Sequence, residues 1–149
     1  MKKVALLLLS FCLLVGCSKT ISPFDLEDKY YGTKDLEDVP GSKIKELEDD
    51  KESFAVFVYM ASCTSCAHFD RVLEDFLDEY PMKLYKVSLL NIKGTKMEQE
   101  IRYSPSVVIY KEGKIVAYLN AISDDDMKYY ESSDNFKEWF TKYVNLKSE

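Results

Sequence analysis

Cys63-Thr64-Ser65-Cys66 is the stretch of this chain whose residue types and spacing can do chemistry. It follows an apolar run, Phe54-Ala55-Val56-Phe57-Val58-Tyr59-Met60, and opens a segment of helical period. A helix puts residues i and i+3 on one face, so the two sulfurs can meet as a disulfide. The first cysteine falls where unpaired N–H groups and the helix dipole favour thiolate over thiol. Free cysteine titrates near about 8.5, and such a setting lowers that by one to several units. Cys63 then attacks or is attacked, and Cys66 resolves the mixed disulfide. Thr64 and Ser65 offer hydroxyl donors to a Cys63 thiolate. Two plainer readings stand beside this one. A structural disulfide closing so short a loop constrains little of the unfolded chain. Half a zinc site has only His68 as a further nearby ligand, where zinc takes four. The exchange reading calls for no metal and no cofactor.

The elements that must position the pair can be read from periodicity. The run at 54–60 is rich in β-branched and aromatic residues, the pattern of a central strand covered on both faces. Behind the cysteines, Phe69, Val72, Leu73, Phe76, Leu77 and Tyr80 recur at spacings of three and four, an amphipathic helix ended by Pro81. Before the run, Ser42 is placed to cap a helix to about Lys51 with Ile44 and Leu47 inward. Residues 83–89 read as a second strand. Residues 95–102 read as a short helix with Met97 and Ile101 inward. Residues 106–110 and 114–118 flank Glu112-Gly113 as a hairpin. Phe136, Trp139, Phe140, Tyr143 and Val144 mark a last helix. The alternation predicts an α/β fold with a central mixed sheet flanked by helices.

The amino terminus carries a different message. Lys2 and Lys3 precede an almost unbroken apolar run at 4–15, closed by Gly16-Cys17. That run is shorter than the roughly 20 apolar residues a bilayer span needs, and has the size of a signal-peptide core. Leu14-Val15-Gly16-Cys17 resembles the lipobox of bacterial lipoproteins, in which cleavage before a lipid-bearing cysteine leaves the protein tethered outside the cell membrane. The expected organisation is a signal peptide at 1–16, a lipid anchor at Cys17 with a flexible acidic tether to residue 41, and a folded domain at 42–147. Phe24, Tyr30 and Tyr31 are the tether residues able to dock on the domain. Losing Lys2 and Lys3 takes the net charge from −6 to −8. A surface so acidic repels phosphate backbones, so nucleic acid is not an expected partner.

From residue 54 to 121 the chain resembles the thioredoxin superfamily in motif, order and spacing. Tyr103-Ser104-Pro105-Ser106, directly before the hairpin, looks like that family's cis-proline loop. The resemblance implies a cis Pro105, with Ser104 offering its backbone to an extended substrate beside Cys63. It implies thiol–disulfide oxidoreductase activity through Cys63 and Cys66, on thiol- or disulfide-bearing exported proteins or peptides, with a membrane redox donor as a further partner. The departures are specific. Ser62 replaces the family's tryptophan, Thr64-Ser65 its Gly-Pro, and Phe57 its buried aspartate. Lys86 matches the lysine that pairs with that aspartate, and here reads as a solvated strand-end residue. His68 is a candidate neighbour to tune the thiolates. Over residues 42–146 the architecture is also similar to Gram-positive bacteriocin transport accessory proteins. The alternative to an enzyme is therefore a non-catalytic module for peptide or bacteriocin export.

Overall fold

The apolar run at 54–60 becomes a strand whose residues are buried from Phe54 to Val58. In the computed structural model, which describes residues 21–147, it forms the middle of a five-stranded sheet. The strands are β1 (Asp35–Asp38), β2 (Phe54–Tyr59), β3 (Lys83–Ser88), β4 (Ser106–Lys111) and β5 (Lys114–Tyr118), in the spatial order β1-β3-β2-β4-β5. β3 is parallel to both β1 and β2, while β4 is antiparallel to β2 and β5 to β4. The helices are α1 (Gly41–Asp49), α2 (Thr64–Glu79), α3 (Met97–Glu100) and α4 (Ser133–Phe140).

The period-2 alternation of β2 sorts its side chains between two helical layers. Phe57 points to one face and meets Phe69 of α2 edge-on at 5.6 Å. Phe76 of α2 continues that layer, packing on Phe136 of α4 at 4.9 Å and Phe140 at 5.4 Å. Phe54 points the other way and stacks on Tyr110 of β4 at 4.4 Å. The Tyr110 hydroxyl donates to the buried Glu48 of α1 at 2.8 Å, and burial in that layer pushes the phenol well above its ordinary range. The expected mixed sheet with helices on both faces is the fold observed. The hairpin turns through Glu112 and Gly113, both at positive φ (50° and 70°), the two-residue turn that suits a hairpin's twist. Only glycine fits at 113, because a Cβ there would lie 2.3 Å from the Glu48 carbonyl oxygen.

Three expectations need correction. Residues 21–41, expected as a flexible tether, are built into the fold. β1 pairs with β3, and Phe24 pairs with Val144 through backbone bonds of 2.9 Å to Tyr143 and from Asn145. Phe24, Leu26, Tyr30 and Val39 are buried. The acidic residues that suggested a tether are tolerated because β1 is an edge strand, and Lys83 of β3 pairs with both Asp35 and Glu37. The second correction concerns α1, which is preceded by Pro40 rather than capped by Ser42. The extended Pro40 supplies its carbonyl to the first turn at Lys43, and no side chain caps it. Third, α3 is only Met97–Glu100, with Met97 and Ile101 both buried as expected. The segments read as signal peptide (1–16) and lipid anchor (Cys17) lie outside the described residues.

Candidate functional site

β2 ends at Tyr59, and α2 begins at Thr64 after four intervening residues. The turn between them closes with a 3.1 Å bond from the Cys63 N–H to the Met60 carbonyl. Cys63 takes the N-cap position in an extended conformation, and its sulfur accepts the Cys66 N–H at 3.1 Å. A sulfur so placed faces the positive end of a helix 16 residues long, a setting that favours negative charge on it. Cys63 and Cys66 form a disulfide across 5.2 Å between Cα atoms. Cys63 is half-buried, whereas Cys66 is only 3 % exposed.

The Ser104–Pro105 peptide bond is cis, as the resemblance implied. Pro105 is buried, and its carbonyl accepts the Tyr130 hydroxyl at 3.0 Å. Burial pushes the Tyr130 phenol far above its ordinary range, with the charge of Asp126 adding to it. The loop thereby sets the Ser104 carbonyl oxygen 3.9 Å from the Cys63 sulfur.

Two concavities flank the disulfide. On the Ser104 side lies a groove of about 310 Å³, lined by Ser65, His68, Ser104, Pro105, Met127 and Tyr130 among others. On the other side lies a smaller cleft of about 170 Å³, lined by both cysteines, Asp70 and Lys86 among others. Of the two hydroxyls between the cysteines, Ser65 stands 3.2 Å from the Cys63 sulfur, and Thr64 is exposed. His68 is an exposed helix residue on the rim of the groove. Among the described residues, no three His, Cys, Asp or Glu side chains converge as a metal site requires.

Lys86 departs from its sequence reading. Instead of ending β3 in solvent, it pairs with Asp70 of α2 at 3.3 Å and lies 5.5 Å from the centre of the Tyr59 ring. The missed partner carried a signal after all: Asp70 follows Cys66 by four residues, the spacing of one helical face. Tyr59 and Asp38 were missed for a different reason, since Asp38 reaches Tyr59 only through the unexpected strand β1.

A cysteine pair at a helix start, facing a cis-proline loop on a five-stranded mixed sheet, defines a thioredoxin-type fold with a CxxC disulfide. The thioredoxin family model matches residues 42–130, more than half of the chain. The chain belongs to the thioredoxin family. Solved structures similar to it include a point mutant of thioredoxin from Halobacterium salinarum, at 16% identity and a TM-score of 0.57, covering 78% of this chain and 97% of that one. Another is reduced thioredoxin pre-protein from Schistosoma mansoni, at 17% identity and a TM-score of 0.52, covering 74% and 96%. At such identities the likeness is one of fold. No curated protein sequence matches the chain. Fold, family and CxxC disulfide together support thiol–disulfide oxidoreductase chemistry.

Proposed function

We propose that the protein is a membrane-tethered, extracytoplasmic oxidoreductase that exchanges disulfides with exported proteins or peptides through Cys63 and Cys66. The observation that carries the chemistry is the half-buried Cys63 sulfur at the α2 N-terminus, beside the Ser104 carbonyl. In the reduced protein the Cys63 thiolate attacks a substrate disulfide, forming a mixed disulfide and expelling one substrate thiolate. Cys66 then attacks the Cys63 sulfur, closing the intramolecular disulfide and expelling the second thiolate. Two electrons pass from the cysteine pair to the substrate. The same steps in reverse oxidise a substrate dithiol. Ser104 and Pro105 hold the extended substrate segment, and the Ser65 hydroxyl stabilises charge on Cys63.

The tether rests on the sequence. The basic start, the apolar run at 4–15 and Gly16-Cys17 support lipid attachment at Cys17. Among the described residues no helix is long and apolar enough to cross a membrane. The anchor in this reading is the lipid on Cys17. Acyl chains contribute about 0.8 kcal/mol per buried methylene, and more than one chain gives stable attachment.

The chemistry is tested by insulin reduction with the purified protein. Cys63→Ser abolishes turnover, and Cys66→Ser accumulates covalent partners. Wild type without exchange on any dithiol or protein disulfide sinks the enzyme reading. Full biological activity of the double Cys63→Ser, Cys66→Ser variant would instead mark a non-catalytic accessory module. Incorporation of labelled fatty acid into wild type but not Cys17→Ser tests the anchor.

A further inference from the structure

When Cys66 resolves a mixed disulfide it must first lose its proton, because the thiolate is the nucleophile. Cys66 is 3 % exposed, so bulk water reaches it poorly. It borders the core and the small cleft behind the disulfide. Besides the two cysteines, the titratable groups lining that cleft are Tyr59 from β2, Lys86 from β3 and Asp70 from α2. Phe57, which forms part of the wall, has no atom that accepts a proton.

The Lys86 ammonium has three donors and no acceptor. The Tyr59 hydroxyl already donates to Asp38 of β1 at 2.6 Å. That bond pushes the phenol up to about 12, with burial and the charges of Asp38 and Asp70 adding to it. Tyr59 therefore stays neutral and has its proton committed elsewhere. Asp70 is the carboxylate of the cleft. It stands one helical turn beyond Cys66, a spacing that sets Cβ atoms about 5–6 Å apart. Lys86 holds it there with a contact of 3.3 Å, both side chains being largely covered (24% and 31% exposed).

We propose that Asp70 is the general base that takes the Cys66 proton during resolution, with Lys86 as its positioning residue. The Cys66 S–H proton passes to the Asp70 carboxylate, directly or through solvent in the cleft. The Cys66 thiolate attacks the Cys63 sulfur, the Cys63–substrate S–S bond breaks, and the substrate sulfur leaves with the electron pair. Asp70 then returns its proton to solvent or to the departing thiolate. In the oxidising direction the protonated carboxyl serves the expelled Cys66 thiolate. The chain from Asp70 through Lys86 and the Tyr59 ring to Asp38 fixes the pair against β1, β2 and β3. This inference rests on the exchange reading above.

The test separates the two steps in one reaction. The full chain carrying Cys12→Ser and Cys17→Ser is reduced, held in mild detergent and mixed with one equivalent of 5,5′-dithiobis(2-nitrobenzoate). The first thionitrobenzoate released reports attack by Cys63, and the second reports resolution by Cys66. Asp70→Asn is expected to slow the second phase about 10²-fold at pH 7, the low end of a positioned base's contribution, and to leave the first within about twofold. The defect shrinks above about pH 9, where an ordinary thiol ionises unaided. Asp70→Glu restores a carboxylate and most of the rate. An unchanged second phase in Asp70→Asn overturns the assignment. So does a slowing that is the same at pH 7 and pH 10, or one that Asp70→Glu shares in full, since either marks a structural role. Wild type that releases one equivalent and stops would sink the exchange reading itself, a different result from any of these.

Discussion

The Cys63 sulfur lies 3.9 Å from the carbonyl oxygen of Ser104, a residue 41 positions further along the chain. β2 delivers one of these groups and the loop before β4 the other, and β2 and β4 are paired neighbours from Phe54–Tyr110 to Val58–Ser106. Sheet register therefore sets how closely the Ser104 carbonyl lies to the Cys63 sulfur.

That placement makes the two cysteines unequal. Cys63 is half-buried at the start of α2, and Cys66 is 3 % exposed one turn behind it. After reduction, limiting iodoacetamide at pH 7 is expected to label Cys63 at least about tenfold faster than Cys66, since reactivity follows thiolate character and access. Peptide mass spectrometry reads the ratio directly. Equal labelling would show that the Cys63 sulfur gains nothing from its place at the helix start.

Deleting residues 1–40 tests whether the acidic segment is a spacer or a structural part. The deletion removes Phe24, Leu26, Tyr30 and Val39 from the core, together with edge strand β1. Each buried side chain of that size is worth about 1.5–3 kcal/mol. The sum rivals the 5–15 kcal/mol that hold an ordinary domain together. The truncated chain is expected to lose cooperative urea unfolding. A transition midpoint close to that of the full chain would restore the spacer reading.

What was legible in the sequence was whatever a periodic pattern or a local motif encodes. Phe54 to Tyr59 declared a buried strand by composition, and α2 declared itself through apolar spacings of three and four. Glu112-Gly113 marked a turn because its backbone needs positive φ at two successive residues. β1 left no such mark. It is four residues long, sits at an edge, and turns only Leu36 as an apolar side chain toward the core. Its stability comes from a ladder with β3, nearly fifty residues away, and from Lys83 facing two carboxylates. The site divided in the same way. The cysteines and Pro105 are carried by short motifs, whereas the Lys86–Asp70 pair exists only because the sheet lays β3 beneath α2.

Tyr130→Phe removes one hydroxyl from behind the cis-proline loop. That hydroxyl donates to the Pro105 carbonyl at 3.0 Å, and Tyr130 is 8 % exposed. Its ring also packs on Phe69 at 4.8 Å, a contact phenylalanine retains. The variant leaves a buried acceptor unpaired and is expected to lose about 1–3 kcal/mol in urea denaturation. The m-value should stay unchanged, because the surface exposed on unfolding is the same. A loss below about 0.5 kcal/mol would mean that the Pro105 carbonyl finds another donor.

Glu52 gives the fold a pH dependence whose direction follows from its partners. The carboxylate accepts from Lys29 at 2.6 Å and from the buried Tyr30 hydroxyl, tying the 3-10 turn at Asp28–Tyr30 to the approach to β2. Burial pushes the Glu52 carboxyl up, but the bonds from Lys29 and Tyr30 together outweigh it, and the group titrates below its ordinary 4.5. A folded value below the unfolded one stabilises the fold wherever the group is ionised in both states. The contribution is fully present above about pH 4.5 and is lost as pH falls through the depressed folded value. Glu52→Gln keeps the shape and discards the charge, so it should cost about 1 kcal/mol at pH 7. The gap between variant and wild type, followed by thermal unfolding from pH 7 to pH 3, should close only once pH is well below 4.5. A gap of the same size at pH 3 and pH 7 would show that packing at this residue, and not its charge, holds the turn in place.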